Sequence, residues 1–202
     1  DLNLFVCGTG TVGGSLLRQI ASQREQLLRE RGLKLNIVGI SGRSHAIYNS
    51  EGLDPARYRE ALAEGGEGGI ERMLREMEQM NVCNPVFVDC TASGEVAAQY
   101  ERILRHHVSI VAANKIAASS PYPDYHKLKR LAREKGVKWL FETNVGAGLP
   151  IINTINDLRA SGDRIERISA VLSGTLNFVF NTLSADVTLS QAVRMAQEQG
   201  YS

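Results

Sequence analysis

The string Gly8-Thr9-Gly10-Thr11-Val12-Gly13 follows directly on an apolar run, Leu2 to Cys7 (LNLFVC), and opens a segment of helical periodicity. A glycine-rich turn alone constrains little. Between a buried strand and a helix it has a defined job. Gly8 permits a tight turn, Gly10 lets the backbone approach a phosphate, and Gly13 lets helix and strand pack closely. The free N–H groups and partial positive charge of the helix start then face an anion. The helix is expected over Val12 to Arg31, with Val12, Leu16, Leu17, Ile20, Leu27 and Leu28 mostly on one face and Gly32 as its stop. A second strand, Leu35 to Ile40, completes a βαβ unit in about 40 residues. The expected ligand of the turn is a dinucleotide.

The pattern beyond it supports an α/β fold. Ser41 to Asn81 is less regular, with two short helical stretches, Pro55 to Glu64 and Ile70 to Met80, around a glycine-rich turn. Then come strand Pro85 to Cys90, helix Gly94 to His106, strand Val108 to Ala112, helix Pro123 to Lys135 and strand Val137 to Glu142. Strands alternating with helices of roughly a dozen residues imply a doubly wound parallel sheet with right-handed crossovers. Past Glu142 the pattern changes. A glycine-rich stretch (NVGAG) leads to helix Leu149 to Ser161, a strand-like run Arg164 to Leu172, a helix from Ser173-Gly174-Thr175 to Leu183, and a helix Leu189 to Gln199. The reading is a Rossmann domain over 1–145 and, over 146–202, the start of an α+β domain.

Charge narrows the partners. Lysine plus arginine (23) nearly balances aspartate plus glutamate (22), so no electrostatic case exists for nucleic acid or an anionic membrane surface. No apolar run approaches the roughly 20 residues that cross a bilayer. Three cysteines without a C-x-x-C pair imply reduced thiols and a cytoplasmic protein. With Asp1 close to the first strand and Ser202 just past the last helix, the chain reads as part of a longer one.

The strand ends carry the candidate chemistry. A site specific for NAD usually has an acidic residue after the second strand, for the ribose 2′-hydroxyl. Here the strand runs into Ser41-Gly42-Arg43-Ser44. A guanidinium at Arg43 pairs with a 2′-phosphate, so NADP is favoured over NAD. Thr91-Ala92-Ser93 and Asn114-Lys115 follow the next two strands, where ligands of open α/β sheets bind. Lys115 is the candidate catalytic residue, an ammonium able to polarise a carbonyl or hydroxyl beside the nicotinamide. The four histidines have no zinc-ligand spacing. Two rival readings stand beside this one. Cys90 could be the nucleophile of an acylating aldehyde dehydrogenase, although it sits in an apolar strand with no evident base. The chain could instead be a non-catalytic dinucleotide sensor.

In VCGTGTVGG, DCTAS, AANK, ETNVGAGLPII, SGTLNFVFN and GYS, in that order, the chain resembles the homoserine dehydrogenase family over essentially its whole length. DCTAS and the stretch Glu51 to Asp54 look most like the form fused to an aspartate kinase. The resemblance implies NADP-dependent interconversion of homoserine and aspartate semialdehyde, on the route to threonine and methionine, by a homodimer. It implies that Gly8 to Gly13 hold the pyrophosphate and that Thr91 and Lys115 lie near the nicotinamide, with Gly200 lining the site. It also implies a structural monovalent cation, usually sodium, at Glu142, Val145, Ala147 and Leu149, bound mostly through carbonyls. The family's substrate-binding acidic residues and a second lysine fall after the pair matching Gly200-Tyr201, so the 202 residues alone are expected to be inactive.

Overall fold

The computed structural model describes residues 1–201. Ser202, the end of the GYS motif, lies outside them. The chain forms two compact units, Asp1–Phe141 and Glu142–Ser202.

In the first unit, β1 (Leu2–Cys7) is buried on both faces, which its near-continuous apolar sequence anticipates. It leads into α1 (Thr11–Arg31), closed by left-handed Gly32 with basic residues in the last turn. β2 (Leu35–Ser41) pairs parallel to β1. The sheet then departs from expectation. β3 (His45–Tyr48) turns back antiparallel along β2, and β4 (Gly66–Glu67) pairs antiparallel with β3. Both fall where the sequence lacks regular alternation. The connection between β2 and β3 is only Gly42-Arg43-Ser44, which is hairpin length and too short for a crossover to a parallel strand.

Between β3 and β5 lie α2 (Tyr58–Ala63) and α3 (Ile70–Met80). α2 starts three residues later than periodicity suggests. β5 (Pro85–Asp89), β6 (Ser109–Ala112) and β7 (Trp139–Leu140) complete a seven-stranded sheet in the order β4-β3-β2-β1-β5-β6-β7. β5, β6 and β7 run parallel to β1. The helix expected over Gly94–His106 is two, α4 (Gly94–Ala97) and α5 (Tyr100–Arg105). α6 (Tyr122–Glu134) precedes β7.

Alternation along β1 divides the core. Phe5 and Cys7 join α3, α4, α5 and α6 residues on one face, around Tyr100 and Trp139. Leu4 and Val6 join Leu17 and Ile20 of α1 on the other. Helices therefore cover both faces. Because β1 touches β2 on one side and β5 on the other, the strand order reverses there. A crevice opens beyond the carboxyl ends of these strands.

The second unit holds one turn of 3-10 helix (Glu142–Asn144), α7 (Ile151–Ala160), α8 (Gly174–Thr182) and α9 (Leu189–Glu198). Ser173 and Thr188 cap α8 and α9, the latter with Gln191 in a capping box. The strand expected over Arg164–Leu172 is absent; that segment is irregular and exposed. Its apolar anchors match a strand, but a strand needs a neighbour for its N–H and C=O groups, and no other strand forms among the described residues of this unit.

Candidate functional site

Gly8 sits at φ +95, a conformation in which any side chain is strained. A Cβ at Gly13 would lie 1.9 Å from the Gly8 carbonyl oxygen and 3.2 Å from Cys90 Cβ. Gly8 thus allows the turn, and Gly13 allows α1 to start against it. Gly10, the N-cap of α1, is different. A Cβ there meets nothing within 4 Å. No side chain caps the helix and no acidic residue occupies its first turn. The helix start therefore presents its N–H groups to open space, a cradle suited to a pyrophosphate.

The turn is tied to its neighbours. The Gly8 amide donates to the Ser41 carbonyl at 2.8 Å. A Cβ at Gly42 would come within 3.3 Å of Thr9 Oγ1, and one at Gly8 within 2.9 Å of Thr91 Cγ2. Residues 8–13, 41–43 and 91–93 therefore form one contiguous surface around the crevice.

Arg43 stands at the tip of the β2–β3 hairpin. It lines a cleft of about 310 Å³ with Gly42, Ser44, His45, Arg59, Leu62 and Ala63. None of these lining residues carries a carboxylate. Arg59, from α2, donates to the Tyr58 hydroxyl at 3.2 Å, an interaction that raises its already high pKa. Arg59 is a second guanidinium at the cleft that the sequence reading did not single out. Sixteen positions separate it from Arg43, and only the hairpin and helix packing bring them together.

On the other side of the turn, Asp89 ends β5 fully buried. Its Oδ1 accepts from the Thr91 amide (2.8 Å) and the Thr91 hydroxyl (2.7 Å). Its Oδ2 accepts from the Tyr100 hydroxyl (2.7 Å) and from Asn114 Nδ2 (3.0 Å). Asn114 Nδ2 also donates to the Ser93 carbonyl (2.9 Å), while its Oδ1 accepts from the Ile116 amide (3.0 Å). Ser93 caps α4 through the Val96 amide. The structure thus brings together Thr91, Ala92, Ser93 and the loop bearing exposed Lys115. Asp89 was missed as a site residue, although a carboxylate closing the apolar run PVFVD was a legible signal; Tyr100, which donates to it, is part of the core.

Burial, then the neighbouring Asp89, pushes the Cys90 thiol up to about 11, and Cys7 goes up to about 12. A nucleophilic cysteine needs the opposite shift, because the thiolate is the reactive form. This environment weighs against acylating chemistry at Cys90.

In the second unit, the Glu142 carboxylate accepts from the Ile152 and Asn153 amides (2.7 and 2.8 Å) at the start of α7. The Leu149 carbonyl accepts from the Ile151 amide (2.9 Å). Gly146 and Ala147 have positive φ, and among the described residues the Val145 and Ala147 carbonyls accept no backbone hydrogen bond. Two of the four expected cation donors are therefore already engaged. Gly200 ends α9 at φ +76, and the Thr175 hydroxyl donates to the Tyr201 carbonyl, joining SGT to the GY pair. The Tyr201 ring stacks on Phe178 with centroids 4.6 Å apart.

Fold and site define the first unit as a dinucleotide-binding domain of Rossmann type. Comparison with known proteins makes this specific. The family model for the NAD-binding domain of homoserine dehydrogenase matches residues 8–142, and the homoserine dehydrogenase model matches 150–202. The chain belongs to the homoserine dehydrogenase family. It is 36% identical over its whole length to the chloroplastic bifunctional aspartokinase/homoserine dehydrogenase 1 of Arabidopsis thaliana, covering 22% of that protein. It is 31% identical to homoserine dehydrogenase of Schizosaccharomyces pombe, covering 56% of it. It also resembles a hyperthermophilic archaeal homoserine dehydrogenase solved in complex with NADPH, at 27% identity and a TM-score of 0.78, with 99% of this chain and 61% of that one covered. The chain spans between about a fifth and three-fifths of these relatives.

Proposed function

We propose that the protein is an NADP-dependent homoserine dehydrogenase, transferring a hydride reversibly between homoserine and aspartate semialdehyde in threonine and methionine biosynthesis. The observation that carries this reading is the contiguous surface of the glycine turn, the Arg43 hairpin and the Thr91–Asn114 loops, in a chain of this family. Gly8 to Gly13 would hold the pyrophosphate. Arg43, with Arg59, would hold the 2′-phosphate; a cleft with two guanidinium side chains and no lining carboxylate suits NADP better than NAD. Thr91, Ala92 and Ser93 would lie against the nicotinamide. Lys115 would orient the substrate oxygen and stabilise charge on it. The cofactor supplies the hydride.

Around this core we place a homodimer, fused in its parent chain to an aspartate kinase as in the bifunctional relatives, in a reducing compartment, the cytoplasm. A sodium ion at 142–149 would be structural, held chiefly by the Val145 and Ala147 carbonyls.

Cofactor titrations test the assignment. Arg43→Ala and Arg59→Ala should each weaken NADPH binding about tenfold, the lower end for a hydrogen bond to a charged group, because water screens both side chains. NADH binding should change less than twofold. Equal losses for both cofactors would remove the 2′-phosphate role.

A further inference from the structure

Burying a carboxylate costs several kcal/mol unless every lone pair finds a donor. Asp89 meets that condition with four neutral donors drawn from three separate elements: the loop after β5, α5, and the loop after β6. Burial and the adjacent Asp89 carboxylate drive the Tyr100 pKa strongly upward, so its hydroxyl keeps the proton it donates. Shape alone would not call for an aspartate here, since an asparagine fills the same volume. The hydrogen-bond inventory does call for its two oxygens.

Two of the four donors, the Thr91 amide and Asn114 Nδ2, have no acceptor capacity, and they sit on opposite oxygens of Asp89. A side chain with a single oxygen satisfies one of them and turns an N–H toward the other. Only a carboxylate grips both strand-end loops at once. Asn114 repeats the device one step outward, tying Ser93 to the start of the Ile116 segment. Lys115 lies in the chain between Asn114 and Ile116, which that hydrogen bond joins.

We propose that Asp89 is the positioning residue of the nicotinamide end of the site, fixing the spacing between the Thr91–Ser93 loop and the Lys115 loop. It touches neither cofactor nor substrate and acts through Thr91 and Asn114. The inference rests on the proposal that this chain binds NADP.

The test compares two ligands on the full-length protein by calorimetric titration: NADPH, and 2′-phospho-ADP-ribose, which lacks the nicotinamide. Asp89→Asn must release one loop whichever way its amide turns. It should lower the preference for NADPH over 2′-phospho-ADP-ribose about tenfold, the scale of one lost hydrogen bond to a charged group. Tyr100→Phe also removes a buried hydrogen bond from Asp89 but leaves both loops attached. It should keep the preference within twofold while lowering Tm. A merely structural role would move the preference in neither variant, or equally in both, and either result overturns the proposal. If Asp89→Asn does not fold, Asn114→Ala unties the Lys115 loop from Asp89 and carries the same expectation. A wild-type protein that binds neither ligand would instead overturn the cofactor reading beneath it.

Discussion

Gly10 and Gly13 lie three residues apart in one turn, yet alanine should do opposite things at the two positions. At Gly13 the new Cβ would sit 1.9 Å from the Gly8 carbonyl oxygen, more than 1 Å inside the usual contact of about 3.2 Å. The obstacle is backbone, so α1 must lift away from β1, loosening Leu17 and Ile20 in the core. Overpacking of this kind costs about 3 kcal/mol or somewhat more, which lowers Tm by roughly 6–12 °C in a chain of this size. At Gly10 the Cβ meets no protein atom within 4 Å, and the backbone is extended, at φ −71 and ψ −153. Gly10→Ala should therefore cost only about 1 kcal/mol, the amount by which alanine is the poorer N-cap. The space it fills is the space the pyrophosphate needs. Losing one or two charge-assisted N–H contacts, about 1.5–3 kcal/mol, would weaken NADPH roughly ten- to hundredfold. Scanning calorimetry and fluorescence titration of NADPH on the two variants read both quantities. The reasoning is refuted if Gly10→Ala binds NADPH like wild type, or unfolds as early as Gly13→Ala.

Thiol chemistry gives a second expectation. Cys7 and Cys90 titrate at about 12 and 11 in the folded chain against an ordinary 9.0, so iodoacetamide at pH 8 should label exposed Cys83 and spare both. Peptide mapping that finds Cys90 labelled as fast as Cys83 would return acylating chemistry to contention. The same raised values mean that folding holds both protons. Their contribution is full below about pH 9 and is lost as pH rises toward 11–12, so urea midpoints should fall across that window and not between pH 6 and 8. For the cation, replacing sodium by choline at constant ionic strength should lower the melting temperature of the full-length protein by a few degrees; an unchanged value would argue against a bound ion at 142–149.

Much of this architecture was legible because local and global signals agree along the first 40 residues. Apolar LNLFVC, three spaced glycines and the amphipathic face of α1 each point to the same βαβ unit. The antiparallel β3 and β4 were not legible, since HAIY is four residues long and GE two; pairing with β2, not their own pattern, makes them strands. Arg164–Leu172 is the converse case, a strand-like pattern with no partner strand among the described residues. In the site, residues beside a glycine turn or strand end could be read directly. Arg59 reaches the cleft through tertiary proximity, which no local spacing encodes. Asp89 was visible as a charge in an apolar run, but its meaning depends on which four donors surround it.

Whether the assembled surface performs the proposed reaction is tested most directly by absorbance at 340 nm with the full-length protein, NADP and L-homoserine. The account predicts NADPH formation that requires homoserine, proceeds faster with NADP than with NAD, and falls by about a hundredfold or more in Lys115→Ala while NADPH still binds. Homoserine-independent rates, or a Lys115→Ala variant turning over like wild type, would contradict it.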